Sequence, residues 1–283
     1  MGSCEGKVAL VTGASRGIGR AIAHRLSAEG AAVVVSASRL GAHGKLFGTL
    51  EQTVSEIQET GGRAAPVVAD LYQPEARVDL IARASEAFGP IDIVVNNAGG
   101  GVMKMPSEVT SEERTAMYEL NVNAPVDLAQ QAIPSMRERG GGWILNISSA
   151  TTKQPEVPYR DSRESALIIG AYGATKSALE RYTLALAHEV AGDDIFVNAL
   201  APVAIVLTQG ADWVRYIAKA NPDWVEPVEM MAEAALELCT ERHVGQIVLS
   251  RDLIHAVGRN VRSLDGKSVL GDAFLEADVD ATA

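Results

Sequence analysis

Aromatic side chains are scarce in this chain, only 5% of 283 residues, and positive charge is short as well: 25 lysines and arginines stand against 36 aspartates and glutamates, a formal net charge of −11. Few aromatics beside much Ala, Val and Gly argue against an aromatic-rich β-sandwich and suit helices packed tightly on a sheet. The acidic balance argues against nucleic acid and anionic membranes as partners, because both require a basic footprint that no run supplies. A small molecule is the expected ligand. Cysteine is nearly absent: Cys4 and Cys239 lie far apart in the sequence and match no disulfide framework, redox pair or zinc spacing, which fits a reducing cytoplasm. The histidines, at 24, 43, 188, 243 and 255, have no metal-ligand spacing, so no metal is expected. Long hydrophobic runs are missing too. The longest, KVALVTG and AAVVVSA, are strand-length and end in turn residues, so neither a membrane span nor a signal peptide is expected.

What is present is a recurrence of short β-branched runs, at Lys7 to Thr12, Ala32 to Ser36, Ala64 to Ala69, Ile91 to Asn96, Gly142 to Ser149, Ile195 to Ala201 and Gln246 to Ser250, with amphipathic segments between them. Runs apolar on both faces predict a parallel sheet covered by helices on each side, and right-handed crossovers then give a doubly wound α/β fold of seven strands and six helices. Ile18, Ile22 and Leu26 mark a helix over 17–30, and a capping Thr49 opens another that ends at Gly61. No linker or internal repeat interrupts residues 7–250, so one domain spanning 1–283 is expected, with a less periodic segment from 251 that packs irregularly before a loose acidic terminus.

Directly after the first strand, TGASRGIG places Gly13, Gly17 and Gly19 around a strand-to-helix turn. Glycine lets the backbone approach a ligand, and free helix N–H groups with the helix dipole favour an anion such as a dinucleotide pyrophosphate. Further on, AYGATK sets Tyr172 and Lys176 four positions apart, which on a helix puts both on one face about 6 Å apart along the axis. An ammonium there is expected to lower the phenol from its ordinary value of about 10, towards that of a base useful near neutrality. A surface pair opening a helix with the buried stripe Leu179, Tyr182, Leu186 and Val190 is the plainer reading. Asn121 precedes Pro125 by four residues, and proline has no N–H to occupy the Asn121 carbonyl.

The order of these motifs, Thr-Gly-x-x-x-Gly-x-Gly at Thr12 to Gly19, Asp70 after the third strand, NNAG at Asn96 to Gly99, Asn121, the NISS strand, then Tyr172 and Lys176, resembles the short-chain dehydrogenase/reductase family along nearly the whole chain. Within it, HGKLFGT and NALAP with Thr208 most resemble the hydroxysteroid-dehydrogenase-like 2 group. The resemblance implies a Rossmann-like fold and hydride exchange between a nicotinamide cofactor and an alcohol or carbonyl. It implies Tyr172 as proton donor or acceptor, Lys176 tuning it and reaching the nicotinamide ribose, and Asn121 holding a relay water through its backbone carbonyl. It also implies a serine that holds the substrate oxygen. Alignment puts that serine at Ser149; Ser148 is the competitor, since strand alternation would swap their faces. Cofactor contacts are implied at Gly13, Ser15, Arg16, Gly17, Ile18, Gly19, Asp70, Leu71, Asn97, Ala98, Gly99, Tyr172, Lys176, Pro202, Val203 and Thr208. Asp70 reads either as a cap of the next helix or as an acceptor for the adenine amino group.

The second strand ends in VVVSASRLGAHGK, without the carboxylate that would exclude a 2′-phosphate. Ser36, Ser38, Arg39 and Lys45, with Arg16 from the glycine turn, favour NADP(H) over NAD(H). The chain departs from the family pattern in the long stretch 150–171, in Val203 where glycine is usual, and in the extra chain after the seventh strand. Residues 203–227, with Leu207, Trp213, Val214, Tyr216 and Trp224, read either as an apolar substrate lid or as helix core or a subunit contact. A homodimer or homotetramer follows from the family, whose long helices, here 111–138 and 171–191, pair between subunits. A scaffold or sensor that binds the cofactor without turnover is the competing function on this fold, and a dehydratase or epimerase a more distant one.

Overall fold

In the computed structural model, which describes residues 2–42, 47–153, 166–208 and 215–272, the apolar runs become parallel strands. The strands are β1 (Val8–Thr12), β2 (Ala32–Ala37), β3 (Arg63–Val68), β4 (Ile93–Asn96), β5 (Gly142–Ile147), β6 (Ile195–Ala201), β7 (Ile205–Val206), β8 (Val225–Glu226) and β9 (Ile247–Leu249). Seven of them form one sheet in the order β3-β2-β1-β4-β5-β6-β9, every pairing parallel. β1 and β6 are buried at every position, as a sheet covered on both faces requires. Alternation divides their side chains: Ala9 and Val11 enter one core, Val8 and Leu10 the other. β3, at the edge, alternates between exposed and covered positions and tolerates Pro66 there.

Helices α1 (Gly17–Ala28), α2 (Leu50–Glu59), α3 (Pro74–Arg77), α4 (Leu80–Phe88), α5 (Ser111–Tyr118) and α6 (Ala124–Glu138) occupy the first half of the chain. α7 (Ala166–Ile169), α8 (Ala171–Val190), α9 (Arg215–Ala220), α10 (Val228–Thr240) and α11 (Ser250–Val257) follow. The predicted Thr49 cap is present, its hydroxyl accepting the Gln52 N–H at 3.0 Å. The expected helix over 111–138 contains a π turn at Glu119–Asn123 between α5 and α6.

The structure also departs from the sequence expectation after β6 and after β9. Residues 203–227 contain a small parallel sheet of β7 and β8 with its own apolar cluster of Ile205, Ala218 and Val225, against which Leu207 packs. Residues after 250 open with α11, because Leu253 and Ile254 give it a buried face, and a bridge between Arg262 and Val269 then closes the irregular segment. Cys4 and Cys239, distant in sequence, sit free in the same core cluster, and burial pushes the Cys4 thiol up to about 11. Lys45, residues 154–165, Trp213, Val214 and the Tyr216 side chain lie outside the described residues.

Candidate active site

Strand order reverses between β1 and β4, and in an open α/β sheet the crevice beyond the strand ends at such a point takes the ligand. Gly13 leaves β1 with φ of 64° and Gly17 opens α1 with φ of 58°, left-handed values that a Cβ makes costly. Gly19 is needed for a different reason. A Cβ there would stand 2.3 Å from Asn97 Nδ2, and that amide donates to the Thr12 and Gly13 carbonyls at 2.9 and 3.2 Å. The Thr12 hydroxyl accepts the N–H groups of Asn97 and Ala98 at 3.1 Å each. The turns after β1 and β4 are thereby stitched together across the crevice.

Arg16 stands at the N-cap of α1 without a side-chain cap bond, and its Nη1 is buried with no hydrogen-bond partner among the described residues. A buried guanidinium nitrogen left unpaired beside a helix N-terminus is costly until an anion meets it, so these residues fit a dinucleotide phosphate. Ser15 is buried beside it, Ile18 turns its side chain to the core, and Thr208 lies 3.7 Å from where a Gly17 Cβ would be. A cavity of about 330 Å³ adjoins the turn, walled by Gly13, Ser15, Arg16, Ser38, Asp70 and Gly99, with Leu71 and Ala98 also lining it. Ser36 lines it as well, fully buried, its hydroxyl without a partner among the described residues. The Arg39 side chain is exposed and forms no part of this wall, because the chain has already left the crevice one residue beyond Ser38. Asp70 does not cap α3, whose N-cap is Gln73; its carboxylate instead accepts the Tyr72 N–H at 3.3 Å.

Buried Arg77 fixes this wall to the next element. It donates to the Leu71 carbonyl at 2.8 Å and pairs with Asp127 on α6 at 2.6 Å and with Glu119 of the π turn at 2.5 Å. Nothing in the sequence marked Arg77, because its partners are brought together only by the fold.

On α8 the Tyr172 ring is half-buried and the Lys176 chain almost wholly buried. Lys176 Nζ lies 5.8 Å from the Tyr172 ring centroid and donates to the Ile147 carbonyl at 2.8 Å. The Ser149 side chain stands near enough to the Tyr172 phenol to favour its ionised form, while the Ser148 hydroxyl donates to Glu180 at 2.7 Å. β5 ends at Ile147, so both serines lie past the strand, and it is Ser149 that meets the phenol. The Asn121 side chain clasps Gly100, donating to its carbonyl at 2.8 Å and accepting its N–H at 3.0 Å, and also donates to Thr175 Oγ1 at 3.0 Å. Gly101 and Gly99, on either side, are crowded: a Cβ at Gly101 would be 2.7 Å from the Tyr172 ring, and one at Gly99 would stand 3.1 Å from Lys176 Nζ and need that ammonium to shift. Gly101 escaped the sequence reading, since its reason is a contact with a residue far along the chain.

The protein's own groups do not lower the Tyr172 phenol as the Tyr-Lys spacing suggested. Burial pushes it up to about 12, and Ser149 beside it only partly offsets this. Burial also pulls Lys176 down to about 8, with the Glu180 charge acting in the opposite direction. Pro202 and Val203 follow β6 partly exposed, and the Val203 N–H is held by Glu226, whose buried carboxyl is pushed up to about 7.

The family model of the short chain dehydrogenases matches residues 7–215. The chain is 32% identical to hydroxynaphthalene reductase-like protein Arp2 of Metarhizium guizhouense over 277 residues, 96% of this chain and 94% of that one. It is 30% identical to hydroxysteroid dehydrogenase-like protein 2 of Xenopus laevis, over 100% of this chain and 66% of that one. The chain is also similar to solved structures. A 3-oxoacyl (acyl-carrier-protein) reductase from Agrobacterium tumefaciens with NADP bound has a TM-score of 0.74 at 31% identity, covering 87% of this chain and 93% of its own. L-sorbose reductase from Gluconobacter frateurii, complexed with NADPH and L-sorbose, has a TM-score of 0.72 at 31% identity, covering 87% and 95%. The chain belongs to the short-chain dehydrogenase/reductase family and is an oxidoreductase that uses a nicotinamide dinucleotide. Among the described residues no helix is long and apolar enough to cross a membrane, and no cluster of His, Cys, Asp or Glu is suited to a metal.

Proposed function

We propose that this protein interconverts a secondary alcohol and a ketone with NADP(H), as a single oxidoreductase domain whose segments 150–171, 203–227 and the chain from 251 border the substrate. The observation that carries the reading is the convergence of the Ser149 side chain on the Tyr172 phenol with the Lys176 ammonium one turn behind. A bound nicotinamide supplies or accepts the hydride. Ser149 Oγ–H donates to the substrate oxygen, and the Tyr172 hydroxyl gives a proton to that oxygen in reduction and takes it back in oxidation. Together with the positive charge of an oxidised nicotinamide, Lys176 would favour the ionised phenol that burial opposes in the protein alone. Asn121 fixes the Gly100 turn against α8 and, through its backbone carbonyl, supports proton return. The glycine turn, Arg16, Ser38, Asp70, Asn97 and Thr208 hold the dinucleotide. Arg16, with an unpaired Nη1 and no carboxylate at the end of β2, favours a 2′-phosphate.

The substrate belongs with apolar carbonyl compounds, lipid-like, steroid, aromatic or acyl, in keeping with the hydroxynaphthalene reductase-like and hydroxysteroid dehydrogenase-like names among its relatives. The enzyme works in the cytoplasm as a homodimer or homotetramer. The test is oxidation of NADPH and of NADH, run separately, against naphthol-type ketones, ketosteroids, β-ketoacyl thioesters and keto-sugars. Turnover with NADPH on an apolar ketone is expected. Tight NADPH binding with no turnover on any compound would favour a sensor or scaffold.

A further inference from the structure

Glu180 lies four residues beyond Lys176 on α8, as Lys176 lies four beyond Tyr172. At 1.5 Å per residue the three side chains succeed one another along one side of the helix, about 6 Å apart. The half-buried Glu180 carboxylate has two tasks at that point. Its Oε1 accepts the Ser148 hydroxyl at 2.7 Å and the Thr152 hydroxyl at 2.9 Å. These are the residues on either side of the short turn whose first residue is Ser149, and within it the Ser149 hydroxyl is further fixed by the Thr151 N–H at 3.3 Å and Thr151 Oγ1 at 3.0 Å. Thr152 closes the turn on the Ser149 carbonyl through its N–H at 3.2 Å, and that carbonyl, 3.0 Å from the Thr152 hydroxyl, shares the hydroxyl's one proton with Glu180. One carboxylate oxygen therefore anchors both ends of the turn that presents Ser149 to Tyr172.

The same carboxylate is the charge that acts on buried Lys176. Other groups facing Lys176 are the Tyr172 ring on its own helix, the Ile147 carbonyl at the end of β5, and the Asn121 amide across Gly99. Of these only Tyr172 titrates, and it is neutral until strongly alkaline pH. Around Glu180 itself the hydrogen-bond partners, Ser148 and Thr152, are uncharged.

We propose that Glu180 is a positioning residue of the active site: its carboxylate clamps the Ser148–Thr152 turn so that Ser149 meets Tyr172, and its charge keeps Lys176 protonated. This rests on Ser149, Tyr172 and Lys176 being the reacting set, so the decisive measurement does not require turnover.

Lysine labelled with ¹³C at Cε is titrated by NMR in the full chain, the Lys176 signal being assigned by its loss in Lys176→Met. Glu180→Gln keeps an acceptor oxygen for Ser148 and Thr152 but removes the charge. Its Lys176 midpoint is expected about one pH unit lower than in the parent. With an active carbonyl substrate, the alkaline limb of kcat/KM moves down with it. Glu180→Ala, which also frees the turn, should lose about tenfold in kcat while NADPH affinity, read by fluorescence titration, stays within twofold. A Lys176 midpoint unmoved in Glu180→Gln overturns the proposal, and so does a Glu180→Ala kcat within twofold of the parent. If the parent reduces no carbonyl compound, the functional reading fails separately, and the titration alone decides the role of Glu180.

Discussion

Glu226 and Val203 meet across the small sheet: one Glu226 oxygen accepts the Val203 N–H at 3.4 Å while the other takes the Ser250 hydroxyl. The carboxyl is fully buried, and this holds the turn after β6 against the start of α11. Burial raises it to about 7, against about 4.3 in an unfolded chain. The folded state thus binds this proton more tightly. Its stabilising contribution is complete below about pH 4 and is lost as pH rises towards the folded value, a change on the order of 3 kcal/mol. Glu226→Gln is neutral at every pH; its carbonyl oxygen can accept the Val203 N–H while its amide N–H₂ donates to the Ser250 hydroxyl, which then accepts. Its Tm should match the parent near about pH 4.5, exceed it by several degrees near neutrality, and keep that margin at higher pH. Parallel Tm curves for the two proteins over this range would show that Glu226 is not the group responsible.

Tyr172→Phe removes one hydroxyl and leaves the half-buried ring packed against Gly101. Turnover should fall by about 10²- to 10⁴-fold, with cofactor affinity by calorimetry and Tm almost unchanged. Activity near that of the parent would remove Tyr172 from the chemistry.

Arg16 and Arg39 are separable by cofactor binding. Arg16 carries an unpaired buried nitrogen at the cavity wall, whereas Arg39 is exposed. Arg16→Ala should weaken NADPH by about 10- to 100-fold and NADH less, since one charged hydrogen bond to phosphate is worth roughly 1.5–3 kcal/mol. Arg39→Ala should change both little. Fluorescence titration with each cofactor decides the matter, and a larger NADPH loss in Arg39→Ala would reverse the assignment.

Pro125 follows a π turn in which the Ala124 N–H reaches back to the Glu119 carbonyl. Proline's missing N–H and its ring keep regular α-helical pairing from running through this point. Pro125→Ala permits that pairing, which would draw Asn121 out of its clasp on Gly100 and Thr175. Turnover should drop about tenfold through this misplacement, and Tm should not fall. A crystal structure of the variant belongs beside the rates: a regular helix with unchanged turnover would leave Pro125 as a packing feature alone.

Sequence by itself determined whatever depends on near neighbours. The seven sheet strands were legible because apolar periodicity is a property of a few consecutive residues, although the ends shifted, β5 stopping at Ile147 rather than at Ser149. Tyr172 and Lys176 share a helix face by the geometry of one turn, Gly13 and Gly17 answer to their own φ angles, and the defect at Pro125 is written in its ring. Tertiary structure decided what depends on partners remote in the chain. Ser148 and Ser149 are chemically alike; only the approach of α8, which brings Glu180 to one and Tyr172 to the other, tells them apart. Arg16 and Arg39 differ in the same way, because side chains of equal charge are sorted by which of them the turn points into the crevice. Gly101 against Tyr172, Arg77 among three elements, Glu226 beneath Val203 and Cys239 in one core with Cys4 left no mark on the local sequence, for their energies come from contacts that exist only once the sheet has brought distant segments together.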